Sequence, residues 1–136
     1  MKFLELFKLE ILLAKLEINR SYQARDNNTL VLGSYKDVNV GTAFCSEILS
    51  PRLYAKLTQK GAHVLINLSS SGLFHESKIL HTQMVQMTKV RAVENNRYLA
   101  RSANLSPAFA VDNTGRLIAE TPWGKTEVLY SLCQGN

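Results

Sequence analysis

Cys45 is the residue with the most chemistry to offer. It follows the β-branched and apolar run Val38–Phe44 and stands a few residues before a helical start at Ser50-Pro51. A thiol at such a strand-to-helix corner can lie exposed at the carboxyl end of a sheet. There it also feels the positive end of the following helix, which favours the nucleophilic thiolate. Ser46 and then Glu47 come directly after it. A cysteine after an apolar strand is also a common form of inert buried thiol, so position alone leaves both readings open.

Other residues could take part in chemistry, and each has a plainer reading. His81 or His63 could serve as the base of a Cys–His dyad of the thiol-protease kind. His63, however, opens an apolar strand, where a core or rim histidine is the better reading. His81 lies one turn into a helix, which favours a packing or hydrogen-bonding role. Arg91, Glu94, Arg97 and Arg101 could bind phosphate, yet the steps of three from Arg91 to Glu94 to Arg97 suit ion pairs along a helix. Cys133 has no partner and reads as incidental. Trp123, following Pro122, reads as a packing anchor. Two cysteines cannot make a disulfide framework, and neither clusters with histidines at metal-ligand spacing. The motifs call for no metal and no cofactor.

The elements that must position Cys45 alternate in type. Thr29–Leu32 and Val38–Phe44 read as strands separated by a turn at Gly33-Ser34. Ser50 is a helix cap, Pro51 suits the first helical position and Gly61 is a stop, which predicts a helix over Pro51–Lys60. Val64–Leu68 reads as a short strand buried on both faces, followed by a loop at Ser69-Ser70-Ser71-Gly72. A long helix is expected from Glu76 to Glu94, with Ile79, Met84, Met87 and Val90 facing the core. Tyr98–Ala103, Ala108–Val111 and Leu117–Ala119 read as strands, the last two joined in a hairpin by Asp112-Asn113-Thr114-Gly115. Strands alternating with helices, then a closing hairpin, give an α/β layered architecture.

The chain of 136 residues suits one domain, and 46% hydrophobic against 20% charged residues supports a packed core rather than a disordered tail. The formal charge of +5 is uneven, because residues 38–104 hold eight basic groups and three acids while the remainder is neutral. Basic runs interleaved with aromatics are missing, so a solvated face is preferred over nucleic-acid binding. Residues 1–28 read as an amphipathic helix and loop, with Leu4, Phe7, Ile11, Ala14 and Ile18 on one stripe. Lys8, Glu10, Lys15 and Glu17 interrupt that segment, which excludes a signal peptide or membrane span there.

Four blocks then occur in order: GTAFCSEILSPRLYAKL, GAHVLINLSSSGLF, HTQMVQMTKVRAVENNRYLARSAN and VDNTGRLIAETP. Together they resemble the carbon–nitrogen hydrolase (nitrilase) superfamily, and within it most of all the apolipoprotein N-acyltransferase family. The most specific part is Arg91-Ala92-Val93-Glu94-Asn95 with Arg97, Arg101 and Asn104; His81 also sits where that family usually has a histidine. The resemblance implies that Cys45 is the nucleophile, taking a fatty acyl group from a phospholipid as a thioester and passing it to the amino-terminal cysteine of a lipoprotein. It implies a supporting role for Glu47. In the family a glutamate serves as base and a lysine holds the oxyanion, both well upstream of the cysteine. Their places lie further upstream than the 44 residues that precede Cys45. Lys15 and Lys36 stand too near to be that lysine, and Glu5, Glu10 and Glu17 are not in the glutamate motif.

Ser46 replaces an expected tyrosine, and Ser70-Ser71-Gly72-Leu73 replaces an Asn-Asp-x-Trp loop whose aromatic helps shape the acyl pocket. The family's flanking transmembrane helices are also missing. The resemblance therefore implies a partial α-β-β-α layered sandwich of the nitrilase type over residues 29–136, the second half of the domain and inactive alone. Its implied setting is the periplasmic face of a bacterial inner membrane, although a chain without a span could be cytoplasmic. Its implied partners are phospholipid and a lipoprotein amine, with no nucleic acid. The alternatives are an amidase fragment of the same superfamily, or a non-catalytic interaction module that self-associates or pairs with a missing half.

Overall fold

The computed structural model describes residues 31–35, 37–72 and 77–125, with Glu127. The expected helix and loop over 1–28, and Cys133, lie outside the described residues.

Six strands form one sheet in chain order: β1 (Val31–Tyr35), β2 (Val38–Phe44), β3 (Val64–Ser70), β4 (Tyr98–Asn104), β5 (Phe109–Val111) and β6 (Leu117–Glu120). The central strands β2, β3 and β4 run parallel, and the outer pairings are antiparallel. Two helices make the parallel crossovers: α1 (Pro51–Gln59) from β2 to β3, and α2 (Lys78–Asn95) from β3 to β4. Right-handed crossovers between strands added in one direction put both helices on the same face. Beneath them lies the core of Ala43, Ile48, Tyr54, Leu57, Ala62, Leu65, Val85, Ala92, Leu99, Phe109 and Val111. This is an α/β fold.

Local signals set most of the boundaries. The Ser50 hydroxyl accepts from the Leu53 N–H at 3.4 Å, Pro51 opens α1, and Gly61 at φ 95° follows its end. The Ser77 hydroxyl caps α2 through the Leu80 N–H at 3.3 Å, and Asn96, left-handed at φ 50°, stops it. Glycine is needed at position 41, where a Cβ would stand 3.0 Å from the Ala62 Cβ and 3.1 Å from the Leu57 Cβ. That absence lets α1 seat closely on β2.

Other expectations change. Gly33 and Ser34 are not a turn: they pair with Val40 and Asn39 inside β1, whose pairing with β2 runs on to Tyr35 and Val38. Ser69 and Ser70 extend β3 instead of starting a loop, because they pair with Ala103 and Asn104 of β4. β3 is buried on one face only, with Leu65 and Asn67 under the helices and Leu68 43% exposed on the other side. On α2, Ile79 is 75% exposed and Val90 43%, while Met84 and Met87 pack partly buried against the core. The stripe that is buried runs through His81, Val85, Thr88, Arg91, Ala92 and Asn95. Much of that stripe is polar: the Thr88 hydroxyl donates to the Met84 carbonyl and the Asn95 amide to the Arg91 carbonyl, each at 2.7 Å, whereas the buried Arg91 Nε has no hydrogen-bond partner among the described residues. Satisfied polar groups can be buried, so apolarity alone misplaced Ile79 and Val90 while Met84 and Met87 lie against the core as expected.

Candidate active site

The parallel strands bring three side chains into one row on the helix-covered face, where Ala43, Asn67 and Arg101 are register partners. Just beyond Ala43 and Phe44, at the carboxyl end of β2, the chain turns into a five-residue 3-10 turn, Cys45–Leu49. Cys45 makes that corner with φ 46°, a left-handed conformation that a non-glycine residue rarely adopts, and its side chain is exposed. Strain of this kind persists only where its surroundings hold it. The element directly after Cys45 is therefore this short turn, with α1 beginning only at Pro51.

Two contacts hold the corner. The Glu47 carboxylate reaches back to accept the Phe44 N–H at 2.6 Å. From the sheet, the buried Asn67 amide donates to the Cys45 carbonyl at 3.3 Å and to the Tyr54 hydroxyl at 3.2 Å. The Arg101 guanidinium in turn donates to the Asn67 carbonyl oxygen and, at 2.8 Å, to the Ser69 hydroxyl. Burial lowers the Arg101 pKa from its usual value, against the opposing influence of Cys45 and Tyr54. Burial likewise raises the pKa of the Tyr54 phenol, which keeps it protonated.

Beside Cys45 is a cavity of about 180 Å³ lined by Ile48, Leu49, Leu80, Met84, serines 46 and 69–71, and Arg101. The surface it exposes is mostly apolar. Among the described residues that line it, Arg101 carries the only permanent charge, and none is a glutamate or lysine. Glu47 is turned to the Phe44 backbone. The site thus combines an exposed thiol, an apolar space and a buried cation, with no glutamate or lysine among the described residues that line it. Lys36, Lys15, Glu5, Glu10 and Glu17 lie outside the described residues. Among the described residues, no group of three or more His, Cys, Asp or Glu side chains could hold a metal ion.

The histidines do not form a dyad with Cys45. His63 Nδ1 accepts the Asn39 N–H at 3.0 Å, and His81 contacts Ser106 and Glu120. Arg91 pairs with Glu94 at 2.7 Å as its spacing suggested. Arg97 does not extend that pair: the helix has stopped at Asn96, and Arg97 donates to the Ala62 and Asn96 carbonyls. Arg101 sits in the sheet with Asn67, so the four residues are not a phosphate-binding cluster. Trp123 packs edge-on against His81 at 5.2 Å. Asn104 accepts the Ser71 N–H at 2.8 Å and ties the end of β4 to the segment after β3.

In open α/β sheets the carboxyl ends of parallel strands are where ligands commonly bind, and Cys45 stands at such an end. The carbon–nitrogen hydrolase family model matches residues 13–135, and the chain belongs to that family. It is similar to the apolipoprotein N-acyltransferase of Geobacter metallireducens, with 31% identity over 66% of this chain and 17% of that protein. It is also similar to the apolipoprotein N-acyltransferase of Chlorobaculum tepidum, with 30% identity over 68% of this chain and 17% of that protein. The chain therefore spans about a sixth of the length of these relatives. Saccharomyces cerevisiae Nit3, a member of branch 10 of the nitrilase superfamily, shares the fold with a TM-score of 0.59 and 21% identity, over 71% of this chain and 38% of Nit3. Glutamine-dependent NAD+ synthetase from Acinetobacter baumannii does so with a TM-score of 0.63 and 15% identity, over 72% of this chain and 20% of that one.

Sequence reasoning missed Asn67, Tyr54 and Ser69 beside Cys45, and Ser106 and Glu120 beside His81. One signal was present. Asn67 is an amide inside the apolar run Val64–Leu68, and an amide there must be satisfied across the sheet if it is buried.

Proposed function

We propose that this chain carries the nucleophile of an acyl transfer of the apolipoprotein N-acyltransferase kind. Cys45 attacks the ester carbonyl of a phospholipid, a base takes the thiol proton, and the lysophospholipid alcohol leaves as the thioester forms. The amine of a lipoprotein's terminal cysteine then displaces the thiol, forming the amide and returning Cys45 to its starting state. The observation that carries this reading is the exposed, left-handed Cys45 beside a cavity of about 180 Å³ with a mostly apolar surface. Relatives named for this activity support it. Glu47 supports the corner through the Phe44 N–H and is not the base. Base and oxyanion cation come from a glutamate and a lysine on another stretch of polypeptide, so the described part of the chain does not turn over alone. Among the described residues no helix is long and apolar enough to cross a membrane; the reading sets the reaction at the surface of a bacterial inner membrane, where the phospholipid donor would be met. Mass spectrometry of the Cys45 peptide, after incubation with phospholipid vesicles and a polypeptide that supplies the glutamate and lysine, tests the reading: a thioester on Cys45 is expected, and an unmodified cysteine refutes it.

A second reading, an interaction module, is favoured by the sheet face opposite the helices. Phe44 is 39% exposed there, beside Leu68 on the neighbouring strand. Such a face is suited to a further sheet, from a second copy or from the polypeptide that supplies the base.

A further inference from the structure

A second constellation of reactive groups lies apart from Cys45. His81 on α2, Ser106 in the turn after β4, and Glu120 at the end of β6 form a hydrogen-bonded chain. His81 Nε2 meets the Glu120 carboxylate at 2.6 Å, and His81 Nδ1 meets the Ser106 hydroxyl at 2.9 Å. An ionised carboxylate can only accept, so Nε2 carries a proton, and the neutral form of the ring is the Nε2–H tautomer. That leaves Nδ1 with a lone pair, and the Ser106 O–H donates to it. A nucleophile bonded to a base, and that base oriented by an acid, is the arrangement that activates a serine.

Three further features favour reaction over mere cohesion. The imidazole is buried and clamped edge-on by Phe109 at 5.4 Å and Trp123 at 5.2 Å, which fixes its plane. Ser106 follows Leu105, which is left-handed at φ 54°, so the serine stands at a sharp corner much as Cys45 does. Ser106 also opens onto a cavity of about 500 Å³ bordered by Asn104, Leu105, Trp123 and Lys125. Lys125 and Glu127 place opposite charges on that wall. Neither His81 nor Ser106 lines the Cys45 cavity, although a small cleft that both of them line shares Ser71, Leu80, Met84 and Arg101 with it.

We propose that Ser106, His81 and Glu120 form a separate serine-based site that accepts acyl groups from activated carboxylic esters. Ser106 Oγ bonds to the ester carbonyl carbon while its proton passes to His81 Nδ1, and Glu120 holds the resulting imidazolium. The carbon–oxygen bond to the alcohol breaks, and the alcohol leaves with the proton from His81. Water then attacks the acyl-serine by the same route, releasing the acid and restoring the serine.

The test is labelling of the 136-residue chain with an alkyl fluorophosphonate, with the adduct mapped by mass spectrometry. In that reaction the Ser106 oxygen–phosphorus bond forms, fluoride leaves and the serine proton goes to His81. A single adduct on Ser106 is expected, absent from the urea-unfolded chain and slowed about 100-fold in Glu120→Gln, which keeps the side-chain shape. No Ser106 adduct on the native chain overturns the proposal. So does an adduct that forms equally fast in Glu120→Gln or in the unfolded chain, since the triangle is then only a structural tie between α2 and β6.

Discussion

Replacing Asn67 by alanine removes the group that joins the sheet to the Cys45 corner. The side chain is fully buried and has three partners: the Arg101 guanidinium, the Tyr54 hydroxyl and the Cys45 carbonyl. Losing a bond to a charged donor costs about 1.5–3 kcal/mol, and each neutral acceptor left without its donor adds about 1 kcal/mol. Because these groups share one network, the terms do not add fully, and a loss of about 3–4 kcal/mol is expected. Urea denaturation followed by tyrosine fluorescence measures it, as a midpoint lowered by roughly 2 M at an ordinary slope for a small protein. Arg101→Met should destabilise on its own, since it leaves the Asn67 carbonyl oxygen unpaired in the core. The double variant should therefore lose less than the sum of the single losses, by about 1.5 kcal/mol or more. A loss below about 1 kcal/mol for Asn67→Ala, or additivity of the two changes, refutes the claim that this network supports the corner.

Two other outcomes follow from the structure. Asp112 accepts the Thr114 hydroxyl at 2.6 Å, the Thr114 N–H, and the Arg116 N–H and Nε–H, and these bonds hold its carboxyl well below the usual carboxylate range. Its contribution is therefore complete above the unfolded pKa of about 3.9 and is lost as pH falls below that value toward the folded one. The stability gap between the wild-type chain and Asp112→Asn should be constant from about pH 5 to 7 and shrink in acid, and chemical denaturation at a series of pH values checks this. The open sheet face should also make the purified chain associate, and size-exclusion chromatography with light scattering should show species larger than a monomer. A well-behaved monomer contradicts that reading of the face.

How much the sequence revealed depended on how local each signal was. β2 ran from Val38 to Phe44 as its β-branched pattern implied, and Ser50, Pro51 and Gly61 marked the limits of α1 through groups within a few residues of each other. The hairpin through Asp112 and Gly115 was legible for the same reason. What failed was non-local. Gly33-Ser34 has turn composition, yet unbroken pairing with β2 keeps it in a strand. The buried face of α2 could not be found by apolarity because His81, Thr88 and Asn95 bring their own hydrogen-bond partners. Arg97 was read with Glu94 because the spacing is helical, but the left-handed Asn96 had already ended the helix. Cys45 and Glu47 were singled out by motif, whereas Asn67 and Arg101 meet behind them only through the register of three parallel strands. The family itself was carried by the order of four blocks, and a match over residues 13–135 shows it.

The most direct test is acylation of Cys45 with and without a complementing polypeptide. The chain is incubated with phospholipid vesicles, alone and mixed with the part of a related apolipoprotein N-acyltransferase that carries the glutamate and lysine, and the Cys45 peptide is examined by mass spectrometry. A hydroxylamine-sensitive thioester on Cys45 is expected only in the mixture, and none should form with Cys45→Ala. A thioester formed by the chain alone contradicts the need for an external base. An unmodified Cys45 in the mixture contradicts its role as the acyl-accepting nucleophile.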